Sequence, residues 1–74
     1  MAAIKIESEV NARVLQVNAT VGDHVNEDDV LLLVESMKME IPILAPASGV
    51  VVAVHAEAGK TIEEGQLLAE LGQR

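Results

Sequence analysis

The sequence predicts an all-β domain, a flattened barrel or two-sheet sandwich built from two similar halves. Three observations predict it. The chain repeats itself at a shift of 37 residues, its apolar runs are short and bounded by glycine or acidic turns, and Pro42 and Pro46 stop any long helix downstream of the middle. Two symmetric halves of short strands pack most simply as facing sheets related by a pseudo-two-fold axis.

The elements follow in order. Ile4-Lys5-Ile6-Glu7 alternates with the strand period. The repeat then aligns Val14 with Val51, Val17 with Val54, Ala19 with Ala56, Gly22 with Gly59, Glu27 with Glu64 and Leu31 with Leu68. Leu15 with Val52, Val25 with Ile62, Val30 with Leu67, and Val34 with Leu71 are conservative pairs. Each half thus reads strand, glycine turn, short apolar segment, acidic turn, strand; two unrelated β-meanders with similar turns are the alternative. Asn26-Glu27-Asp28-Asp29 before Val30–Val34 resembles an acidic helix start. Its repeat mate, Glu63-Glu64-Gly65-Gln66, has glycine in the middle, so both segments are read as turn then strand. Val50–Val54 is β-branched except for Ala53, and too uniformly apolar to show which face points inward.

With 74 residues the chain has room for one domain, taken as 1–74. Half of the residues are apolar, yet Phe, Tyr and Trp are absent, so Val, Leu, Ile, Ala and Met must build the core. That composition suits thin interdigitated layers better than an aromatic-lined pocket, and speaks against an enzyme. Without cysteine there are no disulfides or thiolate metal sites, and the isolated His24 and His55 read as surface or strand residues. No signal peptide or transmembrane run is present, which makes the cytoplasm the expected location. The formal net charge is −7, with Lys5, Arg13, Lys38, Lys60 and Arg74 the only basic residues. Such a surface repels phosphate backbones and anionic lipid, so neither nucleic acid nor membrane is an expected partner. The acidity serves solubility or attracts basic docking surfaces.

Glu35-Ser36-Met37-Lys38-Met39-Glu40-Ile41-Pro42 joins the two halves, which places Lys38 near a protruding tip. Exposed turns prefer Gly, Asn, Asp or Ser, so Met-Lys-Met is an unusual choice. Either the methionines cap the end of the barrel with Lys38 merely solvated, or the tip is built for recognition.

Glu35-Ser36-Met37-Lys38-Met39-Glu40 resembles the biotin attachment motif of biotinyl domains, in which a lysine sits between two methionines. Ala45-Pro46-Ala47-Ser48-Gly49-Val50, Val21-Gly22-Asp23-His24-Val25 and Glu64-Gly65-Gln66-Leu67-Leu68 are similar to segments of the same family, so the resemblance covers about residues 4 to 72. It implies two four-stranded sheets in a flattened barrel with the lysine on a tight hairpin opposite the termini. It also implies biotin held covalently on Lys38, with Met37 and Met39 as flanking recognition residues. The implied partners are a biotin protein ligase, a biotin carboxylase and a carboxyltransferase. The chain itself would be a non-catalytic carboxyl carrier.

Three residues depart from the family pattern. Ser36 stands where alanine is usual, Asp28 where Gly65 stands in the second half, and Ala12 where Gly49 does. No insertion in the first half resembles the thumb of some biotinyl domains. A lipoyl carrier domain would use the same lysine, but typically within Asp-Lys-Ala. A cofactor-free lipoyl-like interaction module would not need a centred lysine. Met1 and the short tail after Gly72 lean towards a free-standing protein.

Overall fold

The computed structural model describes residues 3–72, and every regular element among them is a β-strand. Met1 and the last two residues, on which the free-standing expectation leaned, lie outside the described residues. The strands are β1 (Ala3–Glu7), β2 (Ala12–Val17), β3 (His24–Val25), β4 (Val30–Ser36), β5 (Met39–Leu44), β6 (Gly49–Val54), β7 (Thr61–Ile62) and β8 (Leu67–Gly72). They form two four-stranded antiparallel sheets, ordered β1-β8-β6-β3 and β5-β4-β2-β7.

These orders superpose under the 37-residue shift. β2, β3 and β4 become β6, β7 and β8, and β5 takes the place of β1. Each half lends its two-residue strand to the other half's sheet: His24 pairs with Val50, and Arg13 with Thr61. The halves therefore interlock, and neither sheet is complete without both.

The symmetry extends to the irregularities. β2 skips Leu15 in its pairing with β4, as β6 skips Val52 in its pairing with β8. β4 skips Leu31 against β5, as β8 skips Leu68 against β1. Such bulges break the two-residue alternation. They let Leu31 and Leu32 both face the core, at 1% and 0% exposure, and leave Val52 outside beside buried Val51.

Turn hydrogen bonds repeat in the same way. Gly22 N–H donates to Val51 O and Gly59 N–H to Val14 O, both at 2.8 Å. Asp28 N–H donates to Ala45 O at 2.8 Å, and Gly65 N–H to Ser8 O at 2.7 Å. Gly22 and Gly59 have φ of 99° and 87°, the left-handed region that glycine enters without a Cβ clash. Asp28 has φ 75° against 86° at Gly65, so the first half does carry a non-glycine residue in a left-handed position. The acidic segment before β4 closes as a turn, because the Asp29 carboxylate accepts from Asn26 N–H at 2.8 Å and holds the chain out of a helix.

The core is aliphatic throughout. Val14, Leu31, Leu32, Val34, Val51, Leu68 and Leu71 are fully buried, three pairs of them being repeat mates. Small residues complete it, with Ala19 and Ala56 at equivalent places. The resulting body measures 36 × 18 × 17 Å, thin enough for two layers of β-branched and leucyl side chains to fill.

Candidate attachment site at the β4–β5 hairpin

β4 and β5 run in register from Glu35↔Glu40 to Ser36↔Met39, leaving Met37 and Lys38 alone as a two-residue loop. Both have positive φ, 52° and 66°. Two left-handed central residues define the tight hairpin turn whose twist matches the flanking strands, and Asn-Gly usually fills it. A residue with a Cβ costs about 1–2 kcal/mol at each such position. The strand pairing below the turn holds this strain. Its position was legible from the repeat; the left-handed backbone of Met37 and Lys38 was not.

The turn throws all three side chains outward. Met37 is 92% exposed, Met39 is 65% exposed, and Lys38 is exposed between them. The methionines therefore do not cap the barrel. Among the described residues the only contact within salt-bridge distance of a carboxylate is from His55 Nε2 to Glu70 Oε2, at 3.1 Å, so the Lys38 amine is free of a carboxylate partner. An unpaired, exposed primary amine at the apex of a narrow hairpin fits covalent attachment of a carboxylic acid such as biotin. The amine can enter another protein's site without disturbing a strand. The pseudo-axis relates Glu35↔Glu40, just below the tip, to Gly72↔Ala3 at the ends of the described chain. The tip and the Ala3–Gly72 pair thus occupy symmetry-related ends of the described body.

Two features of the stem escaped the sequence reading. Glu35 and Glu40 face each other across the strands, with Arg13 opposite Glu35 on its other side. Ser36 Oγ donates to Asn11 O at 3.0 Å, while Asn11 Oδ1 accepts from Glu64 N–H at 2.8 Å. The hairpin stem is thereby tied to the β1–β2 loop, and that loop to the β7–β8 turn. Ser36 in place of alanine was the one visible signal of this bond. Lys5 lies within β1 opposite Glu70, and Lys60 follows the Gly59 turn, so neither shares the tip's geometry. A groove of about 480 Å³ lies away from Lys38, lined by Ile6 and Val10 on one side and Ile41 to Leu44 on the other.

A two-sheet pseudo-symmetric sandwich that displays one lysine on a tight hairpin is a carrier-type domain. The chain belongs to the biotin/lipoyl attachment family, whose model, Biotin_lipoyl, described as "Biotin-requiring enzyme", matches residues 2–71. It is 45% identical over 64 residues to the biotinylated protein TB7.3 homolog of Mycobacterium leprae, covering 86% of this chain and 90% of that one. Its fold is similar to part of the urea carboxylase of Kluyveromyces lactis, with a TM-score of 0.90 and 33% identity over 97% of this chain and 6% of that one. It is also similar to the lipoyl domain of the 2-oxoglutarate dehydrogenase complex of Azotobacter vinelandii, with a TM-score of 0.81 and 25% identity, covering 95% and 96%. Biotin-type and lipoyl-type domains thus share this fold, and the residues of the tip must choose between them.

Proposed function

We propose that this chain is a biotin carboxyl carrier domain whose biotin is joined as an amide to Lys38 Nζ. The observation that carries the proposal is the exposed, unpaired Lys38 amine at a strained two-residue apex between two exposed methionines. Similarity to a biotinylated protein and to part of a carboxylase supports biotin over lipoate, as do Met37 and Met39 in place of Asp and Ala.

In this reading a biotin protein ligase presents biotin as its adenylate, and Lys38 Nζ, after losing a proton, attacks the acyl carbon, so that the C–N amide bond forms as the C–O bond to AMP breaks and AMP leaves. Met37 and Met39 supply the apolar flanks that the ligase grips. The amide removes one positive charge, making the formal net charge of −7 one unit more negative. When bound, biotin supplies a ureido nitrogen that accepts and gives up carboxylate. The chain contributes reach and local concentration: the flexible lysine stem extends from the apex of a narrow hairpin towards each active site. Tethering of this kind gives effective concentrations on the order of millimolar. A biotin carboxylase and a carboxyltransferase carry the chemistry. We take residues 1–74 as one domain and expect it in the cytoplasm with the carboxylase it serves.

The test is co-expression with a biotin ligase and peptide mapping. One biotinyl group on Lys38, abolished by Lys38→Arg, is expected. Biotin on Lys5 or Lys60, lipoate on Lys38, or no modification would overturn the proposal.

A further inference from the structure

The oxidisable side chains of this protein are concentrated where its proposed cofactor is attached. The sequence has no Cys, Trp, Tyr or Phe, and its three methionines are Met1, Met37 and Met39. The β4–β5 turn holds the latter two outside the core, at 92% and 65% exposure. Met37 and Lys38, both with positive φ, form the two-residue turn at the end of the hairpin, and the thioether of Met37 there lies in solvent. A thioether exposed in this way is open to two-electron oxidants of the peroxide class, whereas one packed among leucines is shielded.

We propose that Met37 and Met39 form an oxidation-sensitive modification site that gates loading of the neighbouring lysine. In each step the sulfur lone pair attacks a peroxide oxygen, an S–O bond forms and the O–O bond breaks. The sulfur is oxidised by two electrons, the peroxide is reduced, and water leaves. An apolar flank becomes a polar sulfoxide with a strong acceptor oxygen. The fold survives, because neither side chain belongs to the core. The ligase-facing surface does not, since both apolar contacts beside Lys38 are lost together. A methionine sulfoxide reductase restores them. The gating half of this inference depends on Lys38 being the biotin site; the oxidation half does not.

The experiment treats the purified unmodified chain with dilute hydrogen peroxide, maps oxygen by peptide mass and records a melt. The ligase rate is then followed before oxidation, after oxidation and after reductase treatment. We expect oxygen on Met37 first and Met39 next, an unchanged cooperative melt, and a ligase rate lowered about tenfold or more, as loss of apolar contacts worth a methionine side chain implies. The reductase should return the rate. In Met37→Leu/Met39→Leu the ratio of treated to untreated rate should stay at unity, whatever its starting value. Oxygen confined to Met1, or a doubly oxidised tip loaded at the untreated rate, overturns the inference. Failure of the untreated chain to take biotin would instead remove the biotin reading, and the gating with it.

Discussion

Replacing Met37 with Asp together with Met39 with Ala separates recognition from packing at the tip. Full burial of a methionine side chain stabilises a fold by about 1.5–3 kcal/mol. Met37 is 92% exposed, so its share is about 0.2 kcal/mol; Met39, 65% exposed, contributes no more than about 1 kcal/mol. Asp also enters the left-handed region at φ 52° more readily than Met, which offsets part of the loss. The double variant should therefore lose about 1 kcal/mol or less, a drop in Tm of at most about 4–8 °C. Two core methionines would behave differently, because truncations of that kind cost about 2–5 kcal/mol each. Their sum would match the entire stability of a domain this size, about 4–11 kcal/mol. Thermal melts beside a ligase time course at matched protein concentration decide the matter. The expected result is a near-normal melt with biotin incorporation sharply reduced, and lipoylation is then to be looked for, since the tip would read Asp-Lys-Ala. A collapse in stability, with the remaining folded protein still biotinylated normally, would refute the assignment of these methionines to recognition.

Two further predictions test the symmetric turns. Gly59→Val places a β-branched residue at φ 87°, where an added Cβ meets no neighbour, so the loss of about 1–2 kcal/mol comes from the backbone alone; an unchanged melt would contradict the turn. Asp28→Gly relieves the same strain at φ 75° but adds unfolded-state entropy, leaving the fold unchanged or stabilised by up to about 1 kcal/mol. Chemical denaturation would show this as a higher midpoint at constant slope.

Much of the architecture was legible because its determinants are local. Gly22 and Gly59 mark turns by the backbone conformation that only glycine adopts freely, and each half shows them in its own sequence. The repeat placed Lys38 at the hinge between halves before any strand pairing was known. Met-Lys-Met then stood out against the residues a turn ordinarily uses.

Other features depended on contacts between distant segments. That β3 completes the second half's sheet, and β7 the first's, follows from pairings such as Val25 with Gly49, which no short window of sequence contains. The bulges at Leu15, Leu31, Val52 and Leu68 reverse the inward phase of their strands, and a run of valines and leucines does not announce where that happens. The bond from Ser36 Oγ to Asn11 O spans 25 residues and gives a departure from the family pattern a structural purpose. Turn chemistry and apolar spacing are carried residue by residue, which is why a two-fold β-sandwich with one lysine at its hinge could be read from them. The left-handed conformations of Met37 and Lys38, with their side chains in solvent, arise instead from the pairing of β4 with β5, which imposes that geometry on residues that would not choose it.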